Sequence, residues 1–175
     1  MGIRESEWRT LSECSPTPNP APPLPIPYSR FPIPYSPFPI PGNAPMSVGV
    51  LLLTHESMGA ALISAARHVL GRLPLPVEVQ EVAANADPDQ TLRDAAARAR
   101  DLDGGDGVLV LSDLYGATPC NVANRLPGLG VHMHCVSGLN LPMLLRVLNY
   151  PEQSLDELAQ TAASGGRGGI FVDAP

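Results

Sequence analysis

Val108-Leu109-Val110-Leu111-Ser112-Asp113-Leu114-Tyr115-Gly116-Ala117-Thr118-Pro119 is the stretch that decides the fold. Its first residues form a short apolar run without alternation, the pattern of a strand buried on both faces. The run ends on a carboxylate, passes a glycine and reaches Thr118-Pro119, which opens a short helix to Leu126. A second run, Val48-Gly49-Val50-Leu51-Leu52-Leu53-Thr54-His55, ends in the same way on an imidazole. A histidine and an aspartate at the tips of two buried strands can meet in space.

The segments between and around these runs read as alternating helices and strands. Met46 to Thr54 is the first strand, and Ser57 to Leu70 is a helix with Met58, Leu62, Ala65, Ala66 and Val69 on one stripe. Val77 to Val82 alternates and is the second strand. Asp87 is an N-cap, Pro88 stands at N1, and Gln90 is expected to reach back from N3 in a helix running to Leu102. Val108 to Ser112 and Val131 to Val136 are the third and fourth strands, and Asn140 opens a helix through Leu148. Ser154-Leu155-Asp156-Glu157 is a capping box for a last helix, expected to stop at Gly165-Gly166. Ile170-Phe171-Val172 reads as a short final strand. Crossovers long enough for helices imply an α/β fold. The expectation is a doubly wound, mainly parallel four-stranded sheet with helices on both faces and a short extra terminal strand. In such sheets the site lies at the carboxyl ends of the strands. The loops expected there are 54–57, 85–87, 113–118 and 137–140.

Composition divides the 175 residues in two. Thirteen of the 21 prolines lie in residues 1–45, a segment whose three Arg and three Glu cancel. Proline removes backbone donors and fixes φ, so this segment is expected to be a disordered or polyproline-like tail. Met46, directly before the first strand, is the alternative start that a mis-assigned beginning would imply. The net charge of −6 therefore belongs to residues 46–175, the expected domain. An acidic body without a basic cluster argues against nucleic acid and anionic membrane surfaces. No apolar stretch approaches the roughly 20 residues needed to span a bilayer, and no secretory leader is visible. Cys14, Cys120 and Cys135 are odd in number and widely spaced, which argues against a disulfide framework or a zinc site. A cytoplasmic protein with free thiols is expected.

The candidate chemistry gathers on the rim loops. Asp113 would accept from one ring N–H of His55 and fix the tautomer, leaving the other nitrogen with an exposed lone pair. Such a nitrogen can accept an acyl or phosphoryl group. Gly116-Ala117-Thr118-Pro119 points to phosphate: Gly116 admits close backbone approach, Pro119 at N1 would leave helix donors free, and the Thr118 hydroxyl adds another. Ser137-Gly138 and Asn140 could supply further donors or cap the helix that follows, and Ser137 is expected to bind phosphate together with Gly116 and Thr118. The chain lacks GxxxxGK[ST], GxGxxG after the first strand, and GxSxG, so nucleotide, dinucleotide and hydrolase folds are set aside. A phospho-aspartate receiver would need a lysine, and this chain has none. His132 and His134 share a strand side but lack a third ligand nearby, so they read as packing or rim residues. Cys120 reads as a small packing residue.

Three segments carry a resemblance. They are Val50 to His55, Gly104 to Pro119, and Val136-Ser137-Gly138-Leu139-Asn140-Leu141-Pro142-Met143-Leu144. Residues 46–173 resemble the enzyme IIA domain of the mannose family of the bacterial phosphoenolpyruvate-dependent sugar phosphotransferase system. The resemblance implies that His55 takes a phosphoryl group from the phosphocarrier HPr and passes it to enzyme IIB, with Asp113 orienting the ring. It implies a doubly wound sheet, a homodimer with a terminal strand packed on the partner, and no metal, nucleotide or other cofactor. Enzyme IIB is expected to be a separate protein. The alternative within the family is a stand-alone regulatory IIA that binds partners according to its phosphorylation state. Two departures stand out. The family loop commonly reads Gly-Gly-Ser-Pro where this chain has Gly116-Ala117-Thr118-Pro119, and Glu56 follows the histidine where glycine is common.

Overall fold

The computed structural model describes residues 47–173. The proline-rich segment 1–45 lies outside them. Four strands, β1 (Gly49–His55), β2 (Val77–Val82), β3 (Val108–Ser112) and β4 (Met133–Ser137), form one sheet in the order β2-β1-β3-β4. Every pairing is parallel, as the long crossovers require. Five helices surround it: α1 (Met58–Leu70), α2 (Pro88–Leu102), α3 (Thr118–Ala123), α4 (Leu141–Leu148) and α5 (Leu155–Gly168). A 3-10 turn over Leu126–Leu129 follows α3.

The unbroken apolar runs of β1 and β3 serve two cores at once. Val50, Leu52, Leu109 and Leu111 face α1, α4 and α5. Leu51, Leu53, Val108 and Val110 face α2 and α3. Each of these leucines and valines is fully buried, a burial that favours folding by about 1.5–3 kcal/mol per side chain. The two strands therefore sit at the centre of the sheet, and the change in strand order falls between them. Their carboxyl ends open the crevice where ligands of doubly wound sheets bind.

Four local expectations need correction. In α1 the buried positions are Gly59, Ile63 and Ala66, whereas Met58 and Val69 are exposed. The stripe turns because Gly59 brings the helix close to β2: a Cβ there would lie 2.5 Å from Val79 Cγ1. In α2, Asp87 caps the N–H of Asp89, but Gln90 donates to Asp94 at 2.8 Å and accepts from Arg93. An i,i+4 partner on its own helix outcompetes the N-cap. Pro119 is the second residue of α3, after Ala117 as N-cap. Finally, Ile170-Phe171-Val172 is no strand; all three residues are exposed beyond α5. A strand needs an edge to pair with, and Gly169 instead turns back onto Pro142, where a Cβ would come within 2.2 Å of the ring.

The expected stop at Gly165-Gly166 is also replaced, by a packing role. α5 runs through both residues to Gly168, and both are buried. A Cβ on Gly165 would lie 2.6 Å from Arg146 Cβ on α4, and one on Gly166 would lie 2.8 Å from Met143 Cε. The glycines let the two helices touch. As a mere helix breaker, Gly165 would be improved by alanine by about 1 kcal/mol. As a contact residue it should be worsened by about 1–3 kcal/mol. Urea unfolding of Gly165→Ala gives the sign, and loss of stability is expected.

Candidate active site

β1 ends on His55 and β3 ends one residue before Asp113, in a register that pairs Leu53 with Ser112. This brings the two side chains together at the switch point. Oδ2 of Asp113 accepts two hydrogen bonds from one residue: the backbone N–H of His55 at 2.8 Å, and its ring Nδ1 at 2.8 Å. Oδ1 accepts the N–H of Leu114 at 2.8 Å. Burial pushes the Asp113 carboxyl up, but the backbone and ring hydrogen bonds from His55, its charge and the Leu114 N–H outweigh it, so the net shift is downward. An ionised carboxylate can only accept. In the neutral ring Nδ1 therefore carries the proton, and Nε2 holds the free lone pair. The Asp113 side chain is 5% exposed while that of His55 is 48% exposed, so the anchor is covered and the ring is open.

The 113–118 loop is held from within. Ala117 N–H donates to the Leu114 carbonyl at 3.3 Å, and Asn121 Nδ2 donates to the Gly116 carbonyl at 3.0 Å. Gly116 has φ 78°, a conformation that residues with a Cβ rarely take. Ala117 has φ −78° and ψ 171°, so the alanine stands where the backbone is extended and carries no strain. Thr118 is exposed at the first turn of α3. The next rim loop is tied to the end of β3, where the N–H groups of Gly138 and Leu139 both donate to the Ser112 carbonyl. Ser137 pairs with Ser112 in register, and its hydroxyl lies 3.3 Å from the Cys120 thiol in a part-buried contact. Ser137 thus supports the first turn of α3. Asn140 caps α4 by accepting from the N–H of Met143.

The remaining candidates separate from this rim. His134 pairs with Asp156 on α5, and His68 is exposed on α1. Cys120 is buried. Burial, with Cys120 alongside, pushes the Cys135 thiol up to about 11, which keeps it protonated at neutral pH. Sequence reasoning missed Glu81, whose Oε1 accepts the N–H of Ala60 in the first turn of α1. Its alternation in β2 marks it as a strand residue, but the register that brings it to α1 is not written in the sequence.

Fold and site define a doubly wound α/β domain that presents a tautomer-fixed imidazole at the crevice between its central strands. Residues 49–163 match the family model of the PTS system fructose IIA component, and the chain belongs to that family. The PTS system mannose-specific EIIAB component of Escherichia coli is 28% identical over 127 residues, covering 71% of this chain and 39% of that protein. The chain thus spans well under half the length of that relative. The mannose/sorbose specific IIA subunit of the phosphotransferase system from Enterococcus faecalis has a similar structure. Its TM-score is 0.66 at 29% identity, covering 74% of this chain and 98% of that one. A sigma-54 interaction domain protein from Enterococcus faecalis, at TM-score 0.60 and 16% identity over 70% of this chain and 92% of its own, shares the fold. Among the described residues no helix is long and apolar enough to cross a membrane.

The downward shift of Asp113 has a sign that can be measured. A carboxyl whose folded pKa is depressed stabilises the fold above its ordinary value of 3.8, and that contribution is lost as pH falls through the lower folded value. A carbon-13 titration of the Asp113 carboxyl should therefore find its midpoint below 3.8. A midpoint at or above it would mean that burial wins over the His55 hydrogen bonds.

Proposed function

We propose that the chain is a phosphocarrier that accepts a phosphoryl group from phospho-HPr on Nε2 of His55 and passes it to a separate enzyme IIB in sugar uptake. The observation that carries this reading is the double acceptance by Asp113 Oδ2 from the backbone and ring of His55. The Nε2 lone pair forms the new N–P bond as the donor's P–N bond breaks. With Nδ1 already protonated, the phosphorylated ring is cationic, and the Asp113 carboxylate beside it offsets that charge. Onward transfer reverses these steps, returning the lone pair to Nε2. Such transfer rests on in-line positioning and charge stabilisation, and needs neither metal nor nucleotide in this reading.

Gly116 and Thr118 are assigned to the phosphoryl oxygens. The glycine's left-handed turn and the exposed hydroxyl at the start of α3 support that assignment. Ser137 is assigned to the same oxygens, and its contact with the Cys120 thiol ties it to the turn that carries Thr118. Residues 46–175 are the working unit in the cytoplasm, and residues 1–45 are dispensable to it. A homodimer accounts for the exposed Ile170, Phe171 and Val172, and it could cover β4, an edge strand among the described residues.

Incubation with phosphoenolpyruvate, enzyme I and HPr should place an acid-labile, base-stable label on the wild type and none on His55→Ala. Asp113→Asn should fold normally by circular dichroism and take label slower by orders of magnitude, because the amide cannot offset the ring's charge. Labelling of His55→Ala would remove the assignment. A rate for Asp113→Asn within about twofold of wild type would make the carboxylate merely structural.

A further inference from the structure

The two residues after His55 form an unusual turn. Ser57 has φ 70° and is the single non-glycine residue with a positive φ among those described. That conformation is unfavourable for a residue with a Cβ and persists only where its surroundings enforce it. Ser57 is also the N-cap of α1, and its side chain makes no capping hydrogen bond. In α2, α4 and α5 the N-cap side chain does cap. At α1 the work passes to the neighbouring strand, where Glu81 Oε1 accepts the N–H of Ala60 at 2.9 Å.

Glu81 reaches that point because β2 pairs it with Thr54, the residue before the histidine. Thr54 is fully buried and donates its hydroxyl to the His55 carbonyl at 3.0 Å. Gly59 closes the arrangement, since a Cβ there would lie 2.9 Å from the Thr54 hydroxyl oxygen and 3.6 Å from Glu81 Oε1. The backbone around His55 is thus fixed from both flanking strands. Asp113, after β3, holds its N–H, and Glu81, on β2, holds the turn that follows.

We propose that Glu81 is a positioning residue for phosphoryl transfer at His55. By accepting from Ala60 it enforces the left-handed Ser57 turn, and that turn sets the direction in which the imidazole leaves β1. The inference rests on the reading of His55 as the phosphoryl acceptor. Its chemistry is one of reach, not charge: the N–H of Ala60 needs an oxygen at the end of a side chain of this length. Glutamine offers that oxygen without charge. Aspartate keeps the charge but is one methylene short.

Glu81→Gln and Glu81→Asp test this directly, with two readouts on the full chain. Nitrogen-15 spectra of the His55 ring, recorded without any partner, report the tautomer. Label uptake from phospho-HPr reports transfer. Glu81→Gln should keep the Nδ1–H tautomer and a rate within about twofold of wild type. Glu81→Asp should show a ring exchanging between tautomers and an uptake about tenfold slower, the effect of roughly one hydrogen bond. A wild-type rate and ring for Glu81→Asp would overturn the proposal. So would the reverse order, with the glutamine variant slow and the aspartate variant fast, since charge would then be the cause. If the wild type itself takes no label, the phosphocarrier reading fails, and the ring spectra still decide whether Glu81 orients His55.

Discussion

A single carboxylate oxygen binds the two halves of the site. Oδ2 of Asp113 accepts both the backbone N–H and the ring N–H of His55, so it fixes where the residue sits and how its ring is protonated. The rest of the molecule makes that contact possible. It requires two strands adjacent and parallel, aligned so that both end at the same height, and covered so that the aspartate is shielded while the imidazole is not. The leucine- and valine-rich faces of β1 and β3 meet the first demand by supplying two cores at once. The register of β1 on β3, which pairs Leu53 with Ser112, meets the second, after the chain has gone out to β2 and come back.

Much of this is written in the chain. Unbroken runs at Val50–Leu53 and Val108–Leu111 signal central strands, because residues buried on both faces leave no alternation to conceal them. Asp87, Asn140 and Ser154 each cap a helix as their spacing indicates, since capping depends on only three or four neighbouring residues. His55 and Asp113 are legible as a pair because each follows directly from a run that must be a strand. Registers between strands are less visible. Glu81 and Thr54 are opposite one another only once β2 has docked, and neither residue type announces a role.

Glycine is where local signals mislead. Gly165 and Gly166 look like the end of a helix, yet α5 continues through them because α4 leaves no room for a side chain. Gly59 shifts the buried face of α1 by one residue for the same reason. The 113–118 loop shows the converse. Its departure from the usual family glycine at Ala117 costs nothing, because the left-handed position is Gly116 and the next residue is extended. Ile170 to Val172 have strand-like residues without a strand, since pairing needs an edge that the single chain does not bring to them.

The tautomer that Asp113 imposes fixes which ring nitrogen can react, and that atom can be identified directly. Nitrogen-15-labelled protein, phosphorylated through enzyme I and HPr, would show by nitrogen–phosphorus coupling which nitrogen of His55 bears the phosphoryl group. The account predicts the N–P bond at Nε2, with Nδ1 still protonated against Asp113. A phosphoryl group on Nδ1 would contradict it, because that nitrogen's lone pair would have to be free and its hydrogen bond to the carboxylate broken.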